Sequence, residues 1–223
     1  MESAVDGQQL GYLLSVPAGV DVPDAGWPLL LFLHGAGERG DDLSRIRVHG
    51  PPKLRDAIAE LSLCVLVAPQ CPAEAWWQSG TLKALLDEVG AFVKVDPARI
   101  YVTGLSMGGY GTWGLLASYP DFFAAAVPIC GGGEIGRLWS EHDTGFELDG
   151  LLQARGVPIR AFHGEADEVI PVAESRLLVQ ALQELDADVD LTIYPGIGHD
   201  AWTRTYANRE LYRWLFAQRR EAD

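Results

Sequence analysis

The chain has 223 residues, 48% of them hydrophobic and 22% charged, the size and apolar content of one large α/β domain with its own core. Its 31 acidic and 17 basic side chains leave a net charge of −14, which repels phosphate backbones and anionic lipid surfaces and argues against a nucleic-acid or membrane partner. No apolar stretch approaches the roughly 20 residues that cross a bilayer, the opening Met1-Glu2-Ser3-Ala4-Val5-Asp6 has no apolar run of a leader, and the odd number of cysteines (Cys64, Cys71, Cys130) suits buried thiols in the cytoplasm.

Continuous apolar runs alternate with amphipathic segments, the order expected of parallel strands joined by crossover helices. Strands are predicted at 12–16, 29–33, 64–68, 100–103, 124–129, 159–162 and 189–194. Between them, helical spacing covers 53–61, 81–94, 107–118, 173–186 and 202–219. In the last segment Tyr206, Arg209, Tyr212, Arg213 and Phe216 share the pattern of a helix that covers a sheet. The stretch 131–150 fits neither period, mixing glycines with Trp139, His142 and Phe146, and reads as a loop-rich excursion and candidate small lid. A single domain over 1–223 is expected, and the oligomeric state, a homo-oligomer included, is left open.

Gly104-Leu105-Ser106-Met107-Gly108 follows a β-type run and opens a helical pattern. That is the setting in which G-x-S-x-G holds a serine at a sharp strand-to-helix turn. Gly109, Gly111 and Gly114 each cost the following helix about 1 kcal/mol relative to alanine, so their clustering implies a helix that must approach the sheet closely. Ser106 then lies near a helix N-terminus, where free amides favour developing negative charge. The alternative is an ordinary serine in a glycine-rich turn.

A serine hydroxyl near neutral pH needs an imidazole to take its proton and a carboxylate to orient that imidazole. His199, in the loop between the last strand and the last helix, follows Ser106 in the chain, the order in which the base accompanies a serine of the G-x-S-x-G turn. His34 and His163 end β-type runs before glycines, a placement suited to turns or pocket walls, while His49 and His142 fall in irregular, solvent-exposed segments. The acidic turn after the run 159–162 offers Glu165, Asp167 and Glu168 as the orienting group, or as solvated surface.

Two backbone amides are candidates for an oxyanion hole: Met107, directly after the serine, and Ala36, in the turn made tight by Gly35 and Gly37 after the run 29–33. The adjoining Glu38-Arg39-Gly40-Asp41-Asp42 is expected to brace this loop through an internal ion pair. Trp76 and Trp77 leave the same sheet edge and serve either as a pocket wall or as core, while Trp202, three residues after His199, belongs either to the core or against the catalytic loop.

Four segments, 33–40, 104–109, 163–171 and 198–202, together resemble the α/β-hydrolase superfamily, in particular its branch of phospholipase/carboxylesterase-like, feruloyl-esterase-like and predicted-peptidase members. Within 163–171, H-G-x-x-D-x-x-x-P singles out Asp167. The resemblance implies a mainly parallel twisted sheet of about seven to eight strands with helices on both faces, no large cap domain, and acyl-enzyme cleavage of small soluble carboxylic esters without metal or organic cofactor. Ser106, Asp167 and His199 would act on an ester held near Trp76, Trp77, His34 and Gly35. A peptidase or thioesterase using the same residues, and a non-catalytic binding homologue, remain as alternatives.

Overall fold

The computed structural model describes residues 2–5, 8–133 and 148–220. Most of the excursion predicted at 131–150, with Trp139, His142 and Phe146, lies outside the described residues.

The strands are β1 (Glu2–Val5), β2 (Gln8–Ser15), β3 (Trp27–Leu33), β4 (Val65–Pro69), β5 (Val95–Leu105), β6 (Ala125–Ile129), β7 (Ile159–Gly164) and β8 (Val189–Tyr194). Among the described residues they form one eight-stranded sheet in the order β1-β2-β4-β3-β5-β6-β7-β8. β1 and β2 pair antiparallel and β2 meets β4 antiparallel, while β4, β3, β5, β6, β7 and β8 run parallel. β3, β4 and β6 are apolar and buried at every position because both faces are covered, and β5 becomes buried in its second half.

Alternation along β3 divides the core into two layers. Leu29, Leu31 and Leu33 face a cluster that includes Leu82, Leu85, Trp113, Leu116, Leu178 and Leu182, from α3 (Ser79–Phe92), α4 (Met107–Ser118) and α6 (Ala173–Gln183). Leu30 and Phe32 face the opposite cluster with Tyr206, Leu211, Tyr212 and Leu215. These come from α7 (Trp202–Ala207) and α8 (Arg209–Ala217), beside the short helices α1 (Gly50–Leu54) and α2 (Ala59–Ser62). The short α5 (Leu148–Gln153) packs with the α4 side through Leu151.

Two predicted helices are broken. The segment 53–61 becomes α1, which starts earlier on Pro51 and Pro52, and α2, separated by the extended Ile58. The segment 202–219 divides at Asn208, whose side chain accepts the amide of Glu210 and caps α8. All six parallel strands end toward one rim, where the open crevice of such a sheet holds its ligand.

Candidate active site

Ser106 sits between β5 and α4 with φ 53°, a left-handed conformation unusual for a residue with a Cβ. The turn is kept tight by backbone contacts that exclude side chains: a Cβ on Gly104 would strike the carbonyl of Gly108, and one on Gly108 would strike the carbonyl of Leu33. The amide of Ser106 donates to Ile129 O at 2.9 Å, fixing the turn to the end of β6. Backbone strain of this kind costs about 1–3 kcal/mol and is sustained by the surrounding packing.

His199, in the loop after β8, brings Nε2 to 2.9 Å from Ser106 Oγ. Its Nδ1 lies 2.8 Å from Asp167 Oδ2, in the loop after β7. A carboxylate only accepts, so Nδ1 carries the proton and Nε2 presents a lone pair to the serine hydroxyl. The other carboxylate oxygen, Oδ1, accepts the amides of Val169 and Ile170, each at 2.9 Å. Burial alone would raise the pKa of Asp167, yet the hydrogen bonds from His163, His199 and the Ile170 amide hold it well below the usual carboxylate range. The other two acids of this turn point elsewhere: Glu165 accepts the amide of Gly196 at 3.1 Å, and Glu168 is exposed.

Beneath this pair lies Cys130, another left-handed residue at φ 48°, whose thiol donates to His199 O at 3.2 Å. Its Sγ and the ring and carboxylate atoms of His199 and Asp167 lie within 4.8 Å of one another, a set that could in principle ligate a metal ion. Burial pushes the Cys130 thiol up to about 12, which opposes the thiolate a metal needs, and the His199 and Asp167 atoms are already spent on each other.

Met107 is the first residue of α4 and Ala36 the first of a 3-10 turn, Ala36–Glu38, so neither amide has a partner within its own helix. Both residues line a cavity of about 460 Å³ that opens over Ser106 and His199. Gly35 and Trp76 also line it, as placed by the sequence reading.

Three expectations need correction here. His34 and Trp77, expected at the substrate, turn into the core: His34 Nε2 accepts the amide of Cys71 at 2.9 Å, Trp77 Nε1 donates to His34 O at 3.1 Å, and neither lines the cavity. Burial drives the pKa of His34 down to about 4, leaving its ring neutral and suited to that accepting role. His49, expected in solvent, is half-buried against the cavity, edge-on to Trp202. The loop after β3 is braced mainly through carbonyls rather than by an ion pair within 38–42. Arg39 donates to Ala36 O and Ala75 O, Arg45 donates to Gly37 O and Arg39 O, and the Gly35 amide donates to Glu38.

The remaining lining includes Tyr110, Ile170, Val169 and Trp202, none of which the motifs single out as pocket residues. Trp202 carried a weak signal, lying three residues after His199, and its ring stands edge-on to the His199 ring with centroids 5.1 Å apart.

The sequence profile of the prolyl oligopeptidase family matches residues 82–219. A crystal structure of a thermostable esterase superposes with a TM-score of 0.83 at 34% identity, covering 99% of this chain and 62% of the other. Poly(3-hydroxyalkanoate) depolymerase C of Paucimonas lemoignei is 48% identical over 52 residues, 23% of this chain and 13% of that one. A protein of Oryza sativa subsp. japonica named as a probable carboxylesterase is 26% identical over 201 residues, 78% of this chain and 82% of that one. The chain thus spans only part of the depolymerase and of the thermostable esterase.

Proposed function

The chain belongs to the prolyl oligopeptidase family and has the α/β-hydrolase fold, and from that premise we propose that it is a serine hydrolase cleaving carboxylic esters through an acyl-enzyme. The observation that carries this reading is the unbroken chain of hydrogen bonds from Ser106 Oγ through His199 to Asp167. Ser106 Oγ attacks the ester carbonyl while its proton passes to His199 Nε2, and the Asp167 carboxylate stabilises the imidazolium that forms. The carbonyl oxygen becomes an oxyanion beside the amides of Met107 and Ala36. Collapse expels the alcohol, which takes the proton from His199, and a water deprotonated by the same imidazole then releases the acid from the serine.

An accessible cavity with aromatic and aliphatic walls supports soluble esters of modest size as substrates. The family's name favours a second reading, hydrolysis of a peptide bond by the same residues. The three thiols, all buried and free, support a reducing compartment such as the cytoplasm. Among the described residues no helix is long and apolar enough to cross a membrane.

A panel of p-nitrophenyl esters, a thioester and a peptide anilide separates these chemistries. The esters should turn over fastest, and Ser106→Ala should lose this activity. Wild-type turnover by that variant would remove the assignment, and preference for the anilide would favour the peptidase.

A further inference from the structure

The His163 ring is fully buried, lies outside the cavity, and takes no part in the proton path just described. Its Nδ1 is 2.8 Å from Ser175 Oγ, and that hydroxyl donates to Gly131 O at 2.9 Å. Its Nε2 is 2.9 Å from Ile170 O and 3.3 Å from Asp167 Oδ2. A carbonyl and a carboxylate offer only lone pairs, so Nε2 bears a hydrogen whichever way the Ser175 hydroxyl is turned.

That hydrogen is directed at both ends of the turn that wraps Asp167. The Ile170 carbonyl meets His163 Nε2, the Ile170 amide meets Asp167 Oδ1, and Asp167 Oδ2 lies between the rings of His163 and His199. The two imidazoles thus hold Oδ2 from either side, His199 Nδ1 at 2.8 Å and His163 Nε2 at 3.3 Å, and Oδ2 in turn aims the His199 ring at Ser106.

We propose that His163 is a positioning residue, a second imidazole whose Nε2–H fixes the Asp167 carboxylate so that His199 stays aligned with Ser106. This rests on the reading that Asp167 orients His199 for ester hydrolysis. Ser175 and Gly131 hold the far side of the ring, so the brace runs from the end of β6, through α6, to the turn after β7.

Two substitutions isolate the nitrogen that matters. In His163→Gln the side-chain amide can occupy the place of Nε2, whereas in His163→Asn it can occupy only that of Nδ1. The Gln variant should keep most of the wild-type kcat for a p-nitrophenyl ester. The Asn variant should lose on the order of 10–100-fold in kcat with little change in KM, the scale of a misplaced catalytic group. The far-downfield proton resonance of His199 Nδ1–H should persist in the Gln variant and be lost in the Asn variant.

Wild-type kcat in a folded Asn variant, or equal losses in Gln and Asn with the resonance intact, would overturn the proposal. Should neither variant fold, Ser175→Ala releases only the far side of the ring. It should lower kcat and weaken the same resonance, and an unchanged resonance would count against the brace. The outcomes stay distinct from failure of the ester reading, since a wild-type protein that neither hydrolyses esters nor reacts with a fluorophosphonate fails before any variant is compared.

Discussion

At the scale of single residues, Asp167 carries the heaviest electrostatic duty. Its two oxygens receive the amides of Val169 and Ile170 and the imidazoles of His163 and His199, all of which favour the ionised form. Asp167→Asn replaces one acceptor oxygen with a donor, so His199 loses the partner that selects its tautomer. The expected loss in kcat is on the order of 10⁴-fold with the fold retained, read from steady-state ester hydrolysis. The same carboxylate gives a stability prediction. Its folded pKa lies below the unfolded one, so its ionised form stabilises the fold fully above the ordinary carboxylate range of about pH 4 and loses that contribution as pH falls further. Urea unfolding of the wild type and Asp167→Asn should show a gap that is constant near neutrality and narrows below about pH 4.

Much of the site could be read from local pattern because its parts are turns with distinctive chemistry. A serine between glycines after a β-run, and a histidine after the last strand, announce themselves within a few residues. The roles of Trp76 and Trp77 could not be separated in this way. Adjacent positions point in opposite directions, and only the packing of Trp77 Nε1 on His34 O shows which one belongs to the core. His49 and Trp202 meet across more than 150 positions of chain, a contact with no local signal. His163 looked like a turn residue for the same reason, since Ser175 and Gly131 reach it from other elements.

At the scale of elements, apolar runs located β2 to β8, most plainly β3, β4 and β6, where burial on both faces demands them, while the edge strand β8 mixes buried and exposed positions. β1 was missed: Glu2-Ser3-Ala4-Val5 has no apolar run, and its pairing with β2 is made through the backbone. Helix division escaped notice where periodicity continues across a break. Asn208 interrupts 202–219 because its backbone is extended while its side chain satisfies the amide of Glu210. Asn208→Ala should therefore cost about 1 kcal/mol, measured by urea denaturation, with ester hydrolysis little affected. No change in stability would mean that the break is held by packing of α7 and α8 instead of by the cap.

At the scale of the whole molecule, the parallel sheet turns distance along the chain into proximity. Loops after β3, β5, β7 and β8 deliver Ala36, Ser106, Asp167 and His199 to one rim, although Ser106 and His199 are 93 positions apart. The outer elements are tied to the same frame. Arg219 meets the buried Asp96 at 2.9 Å, and Arg99 donates to Phe216 O at 3.0 Å, joining the C-terminal segment to β5.

The central claim is that this convergence makes one hydroxyl nucleophilic. Mass spectrometry after exposure to excess fluorophosphonate measures that most directly, comparing the wild type with His199→Ala. The expected result is a single adduct on Ser106 in the wild type, formed much more slowly in the variant. No adduct, an adduct on another residue, or equal rates in the two proteins would contradict it.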